Sequence, residues 1–269
     1  MMSSTEFTRR FAEAFHQLDT EDREMRFMLT SGHTGKPRAS SLGSCGRKQD
    51  YQMNSVEPTD IGDPPWAASM GYAGEALARE ALRLMGYTME TAVVPEDLVF
   101  SGHIDDLISG LDLDDEVLVW DNKVRGTYGM RMLMTKGLPA ADVEMYLQMQ
   151  AYMWGLGKKR CMITVEPHDL SLMKREVKSY MKGADVSPLI HRIVIDADPA
   201  AQRVAIARAT EAQAAANLGI RIRREYNNAS DKFPCGWCEW RSRCIRDDNI
   251  KEQLELTPIP SQWTALDLE

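Results

Sequence analysis

Apolar positions recur with a strand's spacing through "VLVWDNKVRG", residues 117–126, where Val117, Val119 and Trp120 precede Asp121 and Lys123. Residues i and i+2 of a strand share a face, so these two charged side chains are expected side by side at the strand's end. Around this stretch the period changes several times. Residues 5–29 read as an amphipathic helix, followed by the loop "TSGHTGKPRASSLGS" that delivers the chain to Cys45 and a short helix through Tyr51. After the turn-rich "EPTDIGDPP", residues 66–85 return to helical spacing, closed by Gly86. Strands are expected at 88–94, 97–109 and 116–123, the last two separated by the acidic turn "GLDLDDE". A helix over 141–156, a strand at 160–167 and a further strand in "HRIVID" follow. Asp198 and Pro199 then form the cap and first position of a helix to about 217. Beyond about 250 the prolines and acidic ends predict a flexible or lightly docked tail.

The order along the chain is helix, three strands, helix, strand. Three segments are expected: an N-terminal helix and loop over 1–39, a main domain over 40–249 and a tail over 250–269. Of the 269 residues 43% are hydrophobic, enough for a real core. No run of about 18 apolar residues exists for a membrane span, and the polar start lacks a signal peptide's apolar stretch, so the expected location is the cytoplasm.

The net charge of -8 repels polyanions at long range, so a nucleic-acid partner would need a local basic patch. Residues 221–246 offer one, with Arg221, Arg223, Arg224, Lys232, Arg241, Arg243 and Arg246 interleaved with Tyr226, Phe233, Trp237 and Trp240. Such a segment either holds phosphates and stacks bases or is a solvated charged surface.

Five cysteines carry a second pattern. Cys235, Cys238 and Cys244 form C-x2-C-x5-C, and Cys45 lies far upstream, so three near thiols and one remote thiol can ligate one metal centre. Zinc and an iron-sulfur cluster both suit four thiolates, and the lack of a second C-x2-C knuckle favours the cluster. Either centre would tie the C-terminal segment to the chain near residue 45. Cys161 reads as a small core hydrophobe.

Carboxylates supply the third pattern. Glu75 on a helix, Asp105 on a strand and Asp121 on the next strand can converge, while Asp106, Asp112, Asp114 and Asp115 read as ordinary turn residues. Magnesium and manganese prefer such oxygen ligands and can activate water against a phosphodiester. Lys123 beside them can orient that water or neutralise developing charge. Gln148 and Tyr152, four apart on a helix, share one face of an otherwise Met-rich stretch.

Taken together, these residues resemble the PD-(D/E)XK nuclease superfamily, in particular its iron-sulfur branch of CRISPR-associated RecB-like exonucleases, AddB-type nucleases and related phage exonucleases. The resemblance spans about residues 40–246. Gly71 with Glu75 resembles the first motif, Gly102 to Asp105 the G-x-x-D motif, Asp121 with Lys123 the (D/E)-x-K motif, and Gln148 with Tyr152 the Q-x-x-x-Y motif. Cys45, Cys235, Cys238 and Cys244 resemble the cluster ligands. RecB-like members commonly carry histidine where this chain has Glu75, and glutamate remains a competent ligand there.

The resemblance implies an α/β fold, a restriction-endonuclease-like mixed central sheet flanked by helices, and metal-dependent hydrolysis of DNA from ends, often on single strands. It further implies that Glu75, Asp105 and Asp121 hold magnesium or manganese, with the backbone carbonyl of Asn122 a further ligand. Lys123 would position the water, Gln148 and Tyr152 would contact the DNA backbone, and a four-iron four-sulfur cluster would be structural. Three functions stand at this point: a DNA exonuclease of recombination, repair or phage DNA metabolism; a DNA-trimming subunit partnered with a CRISPR-type integrase; and a non-catalytic DNA-binding metal protein. A homo-oligomer is a further expectation for some relatives.

Overall fold

The computed structural model describes residues 35–60, 66–110, 116–167, 191–226, 235, 238–247 and 253–263. The helix expected over 5–29 lies outside them. The described helices are α1 (Gly46–Met53), α2 (Trp66–Leu84), α3 (Thr127–Lys136), α4 (Val143–Gly155), α5 (Pro199–Leu218) and α6 (Arg241–Arg246). The strands are β1 (Thr88–Glu90), β2 (Asp106–Ser109), β3 (Leu118–Arg125), β4 (Arg160–Pro167), β5 (His191–Asp196), β6 (Arg221–Ile222) and β7 (Gln253–Leu254).

A five-stranded sheet runs in the order β1-β2-β3-β4-β5, and β6 with β7 forms a separate small ladder. Only β3 and β4 are parallel within the large sheet. Parallel neighbours need a long crossover, and α3 with α4 supplies it. The mixed sheet expected from the sequence is therefore present. Among the described residues no helix is long and apolar enough to cross a membrane.

Each face of β3 serves a different core. Val119 joins Cys161, Ile163 and Val165 of β4 beneath Met149 and Met153 of α4 and Ala205 and Ala209 of α5. Leu118 and Trp120 join Met162 and Ile108 beneath Ala78 and Leu82 of α2. Helix α4 is buried from Met145 to Met153, which accounts for a Met-rich composition with no polar face. Its start is capped by Asp142, which accepts the Met145 N–H at 2.9 Å. Helix α5 starts as expected at Asp198, which accepts the Ala200 N–H at 2.8 Å, with Pro199 at the first turn.

Two strands are shorter than the periodicity predicts. Residues 91–105 make only isolated bridges, Val93 with His103 and Ser101 with Arg38. Pro95 interrupts any ladder there, and Ser101 pairs instead with the incoming chain, accepting the Ala39 N–H at 2.7 Å and donating to the Pro37 carbonyl at 2.9 Å. The tail expected beyond 250 is docked over 253–263. β7 pairs with β6, Thr257 donates both its N–H and hydroxyl to Glu211 at 2.6 Å, and Trp263 meets Tyr146 edge-on. Leu256 is buried with Ala212, Ala215 and Ile222, a contact that its proline- and acid-rich surroundings conceal in the sequence.

Arg208 of α5 has no solvent exposure at all. It donates to the carbonyls of Leu42 (2.7 Å), Ser44 (2.8 Å) and Thr257 (2.9 Å) and forms a two-pronged pair with Glu225 at 2.6 and 3.0 Å. Glu225 in turn accepts the Gly46 N–H, the first residue of α1, at 2.7 Å. Removing one side of a buried ion pair costs about 3–5 kcal/mol, so Arg208→Leu should lower the melting temperature by roughly 10 °C in circular-dichroism unfolding. An unchanged midpoint would mean that water replaces the guanidinium.

Candidate active site

The antiparallel register of β2 and β3 sets Asp106 opposite Trp120. Asp105 immediately precedes β2 and Asp121 immediately follows Trp120 on β3, which brings the two carboxylates near each other at this end of the strand pair. Asp105 Oδ2 accepts the Asn122 backbone N–H at 2.7 Å, which fixes the first carboxylate against the second strand. Asp121 is buried, and Lys123 Nζ lies in an ion pair with its Oδ2, as the i, i+2 spacing predicts. Lys123 keeps 21% of its side chain exposed, so its ammonium sits at the mouth of the buried group.

Glu75 enters from α2. Its Oε1 receives Arg79 Nη2 at 2.8 Å, and Arg79 Nε pairs with Asp106 while the same Nη2 donates to the Asp105 carbonyl at 3.2 Å. The guanidinium also lies 5.8 Å from the Trp120 ring centroid. Arg79 thus clamps α2 to β2 and holds Glu75 at the carboxylates. Asp106, read from the sequence as a turn residue, is 2% exposed and belongs to this clamp. Asp112, Asp114 and Asp115 lie outside the described residues. The i, i+4 spacing of Glu75 and Arg79 was the available signal for the clamp.

Burial pushes the Asp105 carboxyl up to about 8, with the charges of Asp121 and Glu75 adding to the rise and the Asn122 N–H and Lys123 opposing it. Asp121 Oδ2 has no hydrogen-bond donor in good geometry despite its burial. Four carboxylates, Glu75, Asp105, Asp106 and Asp121, face two cations, Arg79 and Lys123. The remaining negative charge suits a divalent cation. Among the described residues, however, no three His, Cys, Asp or Glu side chains are already set to grip one ion.

Gln148 and Tyr152 come to this place from α4. Tyr152 is 2% exposed; its hydroxyl donates to the His103 carbonyl at 2.8 Å and receives Gln148 Nε2 at 3.3 Å. Its pKa is raised by burial and by the charges of Asp121 and Asp105. A Cβ on Gly102 would lie 2.7 Å from the Tyr152 ring and hydroxyl, so only glycine allows the chain to pass there on its way to Asp105. Gly102 and Tyr152, far apart in sequence, are one packing unit. Gly71 sits on α2 with nothing within reach of a Cβ.

The four cysteines are electrostatic neighbours. Burial raises the pKa of Cys235, Cys238 and Cys244, the last to about 11, and Cys45 adds to the rise in each. Arg224 and Arg241 counter this at Cys235, Lys48 at Cys238, and Arg47 with Arg224 at Cys244. All four are half-buried free thiols, and among the described residues no three of them are gathered to hold one ion. Cys161 is wholly buried in the core.

Three arginines and one tryptophan of the basic and aromatic segment make contacts within the protein. Arg221 pairs with Asp50 at 3.2 Å, Arg223 with Glu255, and Arg243 with Asp247 at 3.6 Å. Trp240 is buried against Tyr51, its N–H donating to the Val56 carbonyl at 2.8 Å. Lys232, Phe233 and Trp237 lie outside the described residues.

A mixed sheet that gathers two aspartates at one end of a strand pair, with a lysine two residues on and a glutamate from the preceding helix, defines the class of α/β nuclease folds of the restriction-endonuclease kind. Residues 64–245 match the PD-(D/E)XK nuclease superfamily, and the chain belongs to it. Among solved structures, the protein SSO0001 shares the fold at a TM-score of 0.50 with 14% identity, covering 89% of this chain and 98% of that one. An alkaline exonuclease, LHK-Exo from Laribacter hongkongensis, aligns at 0.49 with 16% identity over 70% and 91% of the two chains. A phage-related exonuclease from Haemophilus somnus 129PT aligns at 0.43 with 18% identity over 67% and 91%. No curated protein matches the chain.

The raised Asp105 pKa has a thermodynamic sign. Its contribution to stability is complete below the unfolded value of 3.8 and is lost as pH rises through about 8. In metal-free protein at pH 9, Asp105→Asn should therefore melt above wild type, by on the order of 5 °C, and thermal scans should show the gap closing toward pH 4. A gap independent of pH would remove the ionised Asp105 as its cause.

Proposed function

We propose that this chain is a metal-dependent DNA exonuclease that hydrolyses phosphodiester bonds at DNA ends, with a preference for single strands. The observation that carries this reading is the pair Asp105 and Asp121, gathered at one end of β2 and β3 with Lys123 beside Asp121. Superfamily membership supplies DNA as the substrate class, and the end preference rests on the likeness of the Gln148–Tyr152 and cysteine patterns to the iron-sulfur exonucleases.

Glu75, Asp105 and Asp121 would hold magnesium or manganese, with the Asn122 carbonyl as a further ligand; when bound, the ion supplies Lewis-acid polarisation of the phosphate and neutralises the leaving oxygen. The chain's own groups do the rest. Lys123 keeps a proton donor at the mouth of the buried carboxylates, where it orients the attacking water and offsets charge on the scissile phosphate. Gln148 supports the substrate backbone. Tyr152, its hydroxyl committed to His103, positions the 102–105 segment that carries Asp105. Cys45, Cys235, Cys238 and Cys244 would bind a four-iron four-sulfur cluster, with zinc as the alternative occupant.

End-labelled single- and double-stranded DNA, incubated with anaerobically purified protein and manganese, magnesium or chelator, tests the reading. Metal-dependent shortening from the ends should fall about a hundredfold or more in Lys123→Ala. DNA binding without cleavage in every metal would replace the enzyme with a scaffold. The same preparation should be brown from sulfur-to-iron charge transfer, and Cys235→Ala should be colourless or insoluble. A soluble, fully coloured variant would take Cys235 out of the ligand set.

A further inference from the structure

Asn122 stands between the two functional residues of β3, and alternation turns its side chain to the other face of the sheet, toward α2. There a directed chain of hydrogen bonds holds it. The Trp120 indole N–H donates to Thr164 Oγ at 3.1 Å, and Thr164 Oγ lies 2.6 Å from Asn122 Oδ1. An indole nitrogen only donates, so the Thr164 hydroxyl accepts from Trp120 and gives its own proton to Asn122. That assignment fixes the Asn122 amide. Its oxygen faces Thr164, and its NH2 group is left to face a different acceptor.

The acceptor on that side is Glu166. The parallel register pairs Asn122 with Thr164 and Val124 with Glu166, which puts all four on the α2 face. Asn122 Nδ2 and Glu166 Oε1 are both shut off from solvent without a hydrogen-bond partner among the described residues, one a donor and the other an acceptor. A Cβ on Gly74 would stand 3.5 Å from Asn122 Nδ2 and 3.2 Å from Glu166 Oε2, so both groups meet the same spot of α2, and the amide offsets part of the rise burial causes in the Glu166 pKa. Gly74 of α2 covers the pair: a Cβ there would come within 2.6 Å of Val124 and 3.2 Å of Glu166, and only a bare helix backbone fits. Gly74 is also the residue before Glu75.

We infer that Thr164 and Glu166 are positioning residues for the carboxylate site, acting through Asn122 from the opposite face of the sheet. Their hold on the Asn122 side chain fixes its backbone N–H, which is the group that orients Asp105 against Asp121. Neither touches the reacting atoms. The inference rests on the nuclease reading only for its activity readout.

Thr164→Val keeps the shape and removes the hydroxyl, whereas Thr164→Ser keeps the hydroxyl; Glu166→Met removes the acceptor at similar length. Three measurements apply to each: kcat and KM for DNA cleavage, calorimetric titration of DNA-free protein with Mn2+, and the Asn122 amide resonance in protein labelled with 15N at asparagine. Thr164→Val should lower kcat about tenfold with KM within about twofold, weaken Mn2+ binding several-fold and move the Asn122 resonance, with Thr164→Ser within about twofold of wild type. Glu166→Met should follow Thr164→Val with a smaller effect, and it decides the matter if Thr164→Val does not fold. Unchanged Mn2+ affinity and an unmoved Asn122 resonance would overturn the inference, as would equal damage from valine and serine. Should wild type cleave no DNA, the exonuclease reading fails, while the Mn2+ titration and the resonance still decide the positioning role.

Discussion

A guanidinium sealed from water must have its donors answered by protein, and Arg208 is answered by three separate stretches of chain. Leu42 and Ser44 lie just before Cys45, and Glu225, its ion-pair partner, holds Gly46 just after it. The loop that carries Cys45 is thereby pinned on both sides. Arg47, also buried, repeats the device one residue further on, donating to the Ile222 carbonyl at 2.5 Å and to Gln253 at 2.9 Å. These contacts join the segment near residue 45 to the C-terminal segments, which the cysteine spacing alone had assigned to a metal centre. Arginine suits this task because its charge survives burial and its planar fork meets several carbonyls at once.

The carboxylate site follows the opposite rule. Like charges close together away from water are destabilising, yet Asp105 and Asp121 act on each other in a desolvated corner of the sheet. The surroundings offset this with one backbone N–H, one ammonium and, at Glu75 and Asp106, the Arg79 fork. What remains is a local excess of negative charge that the fold tolerates without using. Local rules broken in an otherwise consistent structure tend to mark functional sites. The contrast with Arg208 is instructive: there every donor has an acceptor in hydrogen-bond geometry, and here Asp121 Oδ2 meets the Lys123 ammonium without such geometry.

Patterns with a short period were legible in the sequence. Asp121 and Lys123 side by side, the Asp198–Pro199 helix start and the helical spacing of α4 each depend on residues within a few positions of one another. What escaped depends on partners far apart. Asp106 looks like any acid before a turn until Arg79 reaches it from α2. The stretch 97–105 has strand-like composition, but the segment 37–39 captures its backbone groups before a ladder can extend. Arg221, one of the basic residues after 220, resembled part of a phosphate-binding surface because its acidic partner, Asp50, lies 171 positions away. A one-dimensional reading sees the charge and misses its neutralisation.

The two faces of β3 bring these strands of argument together. A strand that presents Asp121 and Lys123 to one side must present Trp120 and Asn122 to the other, and that second side is not neutral packing. Trp120 fills the core under α2, supports the Arg79 guanidinium through its ring and starts the hydrogen-bond chain to Asn122. Rotation of the strand by a few degrees would disturb the acids and this chain together, since both hang on the same backbone. The middle residue of an aspartate-x-lysine sequence is therefore constrained from behind: its side chain anchors the strand, while its N–H reaches across to Asp105. Precision at the reactive face of a sheet is set by hydrogen bonds on the face that does no chemistry.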